Sequence, residues 1–213
     1  MPKILQNGIY ALVICTILAT FCFFFIDKPV AIWVYQHQLS RYVFLKWFTH
    51  IPEFFYALSF FVYIVFIILF ACQKQNHFSR VLLAMANSIV IASLFKTLLK
   101  VVFGRYWPLT WKYHNLSLIK DNVYGFHFFH GSTLNDAFPS GHTTVIVAAM
   151  TIFWIAYPRW RWLYASLVLL TITGMVGMNY HFVADIVAGG ILGALVAYYV
   201  MIVSNLRKTQ EVK

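Results

Sequence analysis

The stretch GMVGMNYHFVAD, residues 174–185, holds two side chains that can do chemistry, His181 and Asp185. If a helix begins near His181, the carboxylate lies one turn along on the same face. It can then accept one ring N–H, fix the tautomer and leave the other nitrogen free to attack. This is the base-and-orienter half of a catalytic triad, and the same spacing also suits a structural hydrogen bond. A second cluster is AFPSGHTT, residues 137–144. Pro139 suits a first helical turn, and the free N–H groups of Ser140, Gly141 and His142 would form an anion site at the helix end. Ser140 adds a hydroxyl, Gly141 permits close backbone approach, and His142 is a proton carrier; the plainer alternative is a helix cap beside an incidental histidine. The third cluster is KVVFGRYWP, residues 100–108, with Lys100, Arg105 and, one turn before Lys100, Lys96. Taken alone, these are snorkelling cations at a helix end. Taken together, the clusters describe a phosphate-sized anion between a lysine, an arginine and a helix N-terminus. Two histidines flank it, one to attack and one to protonate the leaving group. Asp and Glu number only six in 213 residues, too few for a metal-ligand set, and His127 and His130 lack partners. The expectation is phosphoryl transfer through a phosphohistidine with no metal or other cofactor.

These residues must be positioned in a membrane. The chain is 62% hydrophobic and 10% charged, whereas a soluble domain carries about 25% charged residues. Six apolar stretches approach the ~20 residues of a spanning helix: Ile9 to Ile26, closed by Asp27-Lys28-Pro29, then Phe54 to Cys72, Val81 to Val102, Pro139 to Tyr157, Trp162 to Met178 and Phe182 to Val203. The fold class expected is all-α, a polytopic bundle of six transmembrane helices with short interfacial helices. Residues 1–213 read as one domain. The first stretch reads as a retained helix, not a removable signal. Segment 30–50 is aromatic enough to lie in the interface as one or two short helices. The GxxxG of Gly189 and Gly193 reads as helix packing.

The net charge of +10 does not indicate nucleic acid, because the cations are scattered among loops and helix ends with no basic run. Membrane lipids and a lipid-phosphate substrate are the expected partners. Lys3, Lys74, Arg80, Arg159, Arg161, Arg207, Lys208 and Lys213 fall on the side of the short loops and both termini, which is read as cytoplasmic. The three clusters then face the opposite side. Cys15, Cys22 and Cys72 read as small buried hydrophobes.

The order of these motifs resembles the type-2 phosphatidic acid phosphatases, the membrane branch of a superfamily shared with vanadium haloperoxidases. Its pattern is K-x6-R-P, then P-S-G-H, then S-R-x5-H-x3-D. Pro139-Ser140-Gly141-His142 matches in full, Lys100 and Pro108 fit the first motif, and His181 and Asp185 fit the third. Trp107 and Met175 stand where the pattern has arginines. The resemblance implies that His181 is the nucleophile, that Asp185 orients it, and that His142 protonates the leaving alcohol and then activates water. It implies that Lys100, Ser140 and the Gly141 N–H hold the phosphoryl oxygens. Arg105 and Asn179 are the candidates to compensate for the missing arginines, with Lys96 a further one.

The expected function is an integral membrane lipid phosphatase, acting on a lipid phosphate or diphosphate at the outer face of a bacterial inner membrane. The alternative is a lipid-phosphate binding or transport protein, or a lipid phosphotransferase, on the same scaffold. The aromatic segment 103–138, with Trp107, Trp111, Tyr113, Tyr124 and Phe126, is placed to cap the site.

Overall fold

The structure, a computed structural model, describes residues 3–111, 114–130 and 136–206. Tyr113, Arg207, Lys208 and Lys213, invoked above, lie outside them. Among the described residues the regular structure is helical, with two isolated β-bridges, Arg105 with Phe126 and Trp107 with Ser117. The helices are α1 (Lys3–Phe21), α2 (Asp27–Gln36), α3 (Val43–Thr49), α4 (Ile51–Ala71), α5 (His77–Phe103), α6 (Leu118–Asp121), α7 (Gly141–Ala156), α8 (Arg161–Gly177) and α9 (Val183–Val203).

Each of the six apolar stretches is a helix. Among the described residues, four helical runs are long and apolar enough to cross a membrane: Leu5–Gln36, Val43–Ala71, His77–Phe103 and Val183–Val203. The apolar α7, with 16 residues, and α8, with 17, fall short of the ~20 residues of a full span. Length alone therefore supports four crossings, not the six expected.

The first helix does not stop at Asp27-Lys28-Pro29. A π-helical turn, Cys22–Ile26, carries it on into α2. The wider turn restarts the hydrogen-bond ladder, and Pro29 then falls in the first turn of α2, where a missing N–H costs little. Asp27 thus sits inside a continuous apolar rod, buried, instead of at a solvated end. Segment 30–50 holds the rest of α2, which continues the first rod to Gln36, and the short α3, which opens the run Val43–Ala71, so both belong to long apolar runs.

The helices α5, α7 and α9 form the centre, with α1 against α9, α4 against α5, and α8 between α7 and α3. Small residues let α9 approach α7 closely. A Cβ at Gly189 would come within 2.5 Å of the Ser140 carbonyl oxygen, and one at Gly193 within 2.5 Å of the Thr144 carbonyl oxygen. The GxxxG therefore packs α9 onto the start of α7, which puts the PSGH and HxxxD motifs side by side.

Candidate active site

A hydrogen bond joins the two motifs directly: the Ser140 N–H donates to the Asp185 main-chain carbonyl at 3.0 Å. Ser140 is the N-cap of α7, and its Oγ accepts from the Thr143 N–H. It is fully buried and does not line the cavity. In this structure, where it was expected as a phosphate ligand, Ser140 is the cap that sets where α7 begins. Gly141 and His142 do face the cavity, and their N–H groups have no acceptor among the described residues, as first-turn groups of a helix do not.

The cavity has a volume of about 610 Å³ and is walled by His142, His181, Lys96, Lys100, Gly141 and Trp107, with Trp111, Asp136 and, from α4, Glu53 and Tyr56 around them. The two imidazole centroids are 6.2 Å apart. The Lys100 ammonium donates to the Asp136 carbonyl oxygen, lies 3.6 Å from the Asp136 carboxylate and sits 5.5 Å from the centre of the Trp107 ring.

His181 lies in the turn between α8 and α9, outside the longer apolar helices. The turn depends on Asn179, which takes a left-handed φ of 54°, a conformation asparagine tolerates better than most residues. The Asn179 amide donates to the Ala31 carbonyl at 3.0 Å and is buried away from the cavity. Expected as a phosphate donor, it here ties the turn to α2. Burial pushes the His181 imidazole below the ordinary histidine value; Asp185 acts in the opposite direction without overcoming it. His181 is therefore neutral near pH 7, as a nucleophile must be.

Asp185 faces both ways. Its Oδ2 accepts from the Phe182 N–H at 2.9 Å, closing the first turn of α9, and lies 3.5 Å from His181 Nδ1. That gap is wider than a well-formed hydrogen bond, and Nδ1 has no hydrogen-bond partner among the described residues. Its Oδ1 takes a 2.5 Å bond from Arg105 Nη1.

Arg105 is the largest departure from expectation. Its side chain does not enter the cavity: it is fully buried behind Asp185, with Nη2 bonded to Asp27 Oδ2 at 2.5 Å. Phe23, Tyr124, Phe126 and Phe182 surround the guanidinium at 4.6–5.6 Å from their ring centres. Asp27 Oδ1 also accepts from the Ala184 N–H at 2.9 Å. Tyr124, whose phenol burial pushes above its ordinary value, donates to the Phe23 carbonyl at 2.6 Å. Arg105 thus holds the Asp185 carboxylate and does not line the cavity. Two carboxylates engage its terminal nitrogens, and no charge is left over for a phosphate. Asp27 and Tyr124 are the members of this network that sequence reasoning did not assign to it. The available signal was Asp27 itself, one of six acids, set inside an apolar run where an ionised group needs a partner.

Met175, in the second vacant arginine position, is fully buried, and its main-chain oxygen accepts from the N–H of Tyr180. Among the described residues, the positive charge lining the cavity comes from Lys96 and Lys100.

A helical membrane scaffold with this pairing of PSGH and HxxxD defines a class, and the chain belongs to it: the family model described as the PAP2 superfamily matches residues 81–208. It is an integral membrane protein of that superfamily. Among its relatives are the lipid A 1-phosphatase of Rhizobium johnstonii, 28% identical over 107 residues, and that of Rhizobium etli, 27% identical over 103. The matches cover 50% and 48% of this chain but 41% of each relative, so the chain aligns with well under two thirds of their length. Among solved structures, the crystal structure of a transmembrane PAP2-type phosphatidylglycerolphosphate phosphatase from Bacillus subtilis matches with a TM-score of 0.54 at 17% identity, covering 100% of this chain and 98% of that one. That likeness speaks to the fold.

Proposed function

We propose that the protein is a lipid phosphatase that cleaves a phosphate or diphosphate monoester through a phosphohistidine on His181. The observation that carries this reading is the meeting of His142, His181 and Lys100 around one cavity, with Asp185 behind His181. Asp185 faces Nδ1, which leaves Nε2 to attack phosphorus. The P–O bond to the lipid breaks as the N–P bond forms, and His142 gives the leaving oxygen its proton. His142 then takes a proton from water, whose oxygen displaces the imidazole and releases inorganic phosphate. Lys100 and the N–H groups of Gly141 and His142 stabilise the charge on the phosphoryl oxygens. All the electrostatic work falls to the protein's own cations and N–H groups, so hydrolysis is expected to continue in a chelator.

The same reading extends to topology. All six apolar helices cross the bilayer, α7 and α8 as short spans. Both termini face the cytoplasm, the cavity opens to the outer side, and the membrane is a bacterial inner membrane. The lipid keeps its tails in the bilayer and presents its headgroup to the cavity. The relatives' substrate makes a phosphorylated glycolipid a candidate alongside glycerolipid and isoprenoid phosphates. Trp107 and Met175, in the two arginine positions, favour a second reading, a protein that binds or transfers lipid phosphates with little hydrolysis. Phosphate release from a panel of lipid phosphates by the purified protein, with chelator present, separates the two. Release that disappears in His181→Ala supports the phosphatase; binding without release supports the second reading.

A further inference from the structure

Residue 107 occupies an arginine position of the family pattern and is a tryptophan. Its ring forms part of the cavity wall, 5.2 Å from the His181 ring and 5.5 Å from the Lys100 ammonium. Trp107 is 6% exposed, and its indole N–H has no hydrogen-bond acceptor among the described residues. Folded proteins seldom leave a buried donor unpaired, and each such group calls for an explanation, a catalytic role or a bound ion among them. Lys96 forms the adjoining wall. A Cβ built on Gly141 would stand 3.0 Å from Lys96 Cδ and 3.5 Å from its ammonium. The charge therefore lies beside the start of α7, where the Gly141 N–H has no acceptor among the described residues. Lys100 is tied to Asp136. Lys96 has no hydrogen bond or ion pair with a described residue, and Asp136 acts on it from beyond ion-pair distance.

We propose that Trp107 and Lys96 together bind the phosphoryl group in place of the arginine missing at 107. Lys96 supplies the positive charge and Trp107 supplies a directed N–H donor. An arginine would combine both in one fork; here they come from two elements, α5 and the loop after it. The ligand class is a phosphate monoester dianion, or inorganic phosphate as product. This rests on the reading of the cavity as the phosphoryl site.

The test titrates inorganic phosphate into the full-length protein in detergent by calorimetry, with lipid phosphate hydrolysis measured in parallel. Trp107→Phe keeps the ring and loses the N–H; Lys96→Met keeps the chain and loses the charge. Each is expected to weaken phosphate binding by about tenfold or more and to lower kcat/KM by about 100-fold, the size of one lost transition-state donor. Lys96→Arg is expected to retain binding, and Trp107→Arg to restore it in the Lys96→Met background. Phosphate affinities in both single variants within about twofold of the parent's, or no phosphate binding by the parent, overturn the proposal. A parent that binds phosphate yet turns over no lipid phosphate removes the hydrolase reading alone, and the affinities of the variants still decide this one.

Discussion

Arg105 and Asp185, 80 residues apart, meet in a fully buried ion pair at 2.5 Å directly behind the candidate nucleophile. With Asp27 on its other terminal nitrogen, the arginine links the elbow between α1 and α2 to the first turn of α9. Removing one member of such a pair leaves an uncompensated buried charge, at a cost of about 3–5 kcal/mol. Arg105→Met, which strands two carboxylates, is expected to show this loss in denaturant unfolding in detergent. Adding Asp27→Asn to Arg105→Met should recover part of the loss, because one stranded charge is then gone. Additive losses in the double variant contradict the network.

Asn179 separates turn geometry from phosphate binding. Asn179→Ala removes the bond to Ala31 and places a less tolerant residue at positive φ. A loss of roughly 1–3 kcal/mol is expected, while affinity for inorganic phosphate stays that of the parent. Weaker phosphate binding with unchanged stability would return Asn179 to the ligand set.

The spacing of α9 against α7 gives a third prediction. Gly189→Ala drives a Cβ to 2.5 Å from the Ser140 carbonyl oxygen, and backbone cannot swing aside as a side-chain end can. The start of α7 must shift, carrying His142 with it. A stability loss of about 1–3 kcal/mol is expected, together with a fall in kcat. Gly190→Ala meets nothing closer than 3.8 Å and serves as the control. Equal behaviour of the two variants would show that the close approach does not position the site.

The pH dependence follows from His181. Burial holds its imidazole below the ordinary value of about 6.5. As pH falls through that value, the unfolded chain takes up a proton that the folded chain does not. This contribution is therefore constant above about pH 6.5, and stability declines below it until the folded-state value is passed. Asp185 raises the His181 value, so Asp185→Asn should move the acid limb of kcat/KM to lower pH as well as reduce its height. A limb that moves to higher pH contradicts the placement of Asp185 against His181.

The helices were legible because each has an uninterrupted apolar run; all six expected stretches reappear, most within a few residues at their ends. The start of the first and the end of its rod were not. Asp27-Lys28-Pro29 reads as a stop by local rules, and only the π-helical turn before it lets the helix continue. That His142, His181 and Lys100 meet around one cavity was legible by type and spacing. The network of Asp27, Arg105 and Tyr124 was not legible: Arg105 was expected at the phosphate and Tyr124 in the cap over the site, because the bonds that join them to one another and to α1 reach across 78–101 residues and depend on how α1, the long loop and α9 pack. Glu53 and Tyr56 entered the cavity wall for the same reason: α4 carries them there.

The central claim is that His181 carries the phosphoryl group. Incubating the purified protein with a lipid phosphate labelled in its phosphate, quenching rapidly in alkali and mapping labelled peptides tests it most directly. The account predicts label on His181, present in chelator, discharged as inorganic phosphate by water, and absent from His181→Ala. Phosphate release by the parent without label on His181, or release undiminished in His181→Ala, would contradict it.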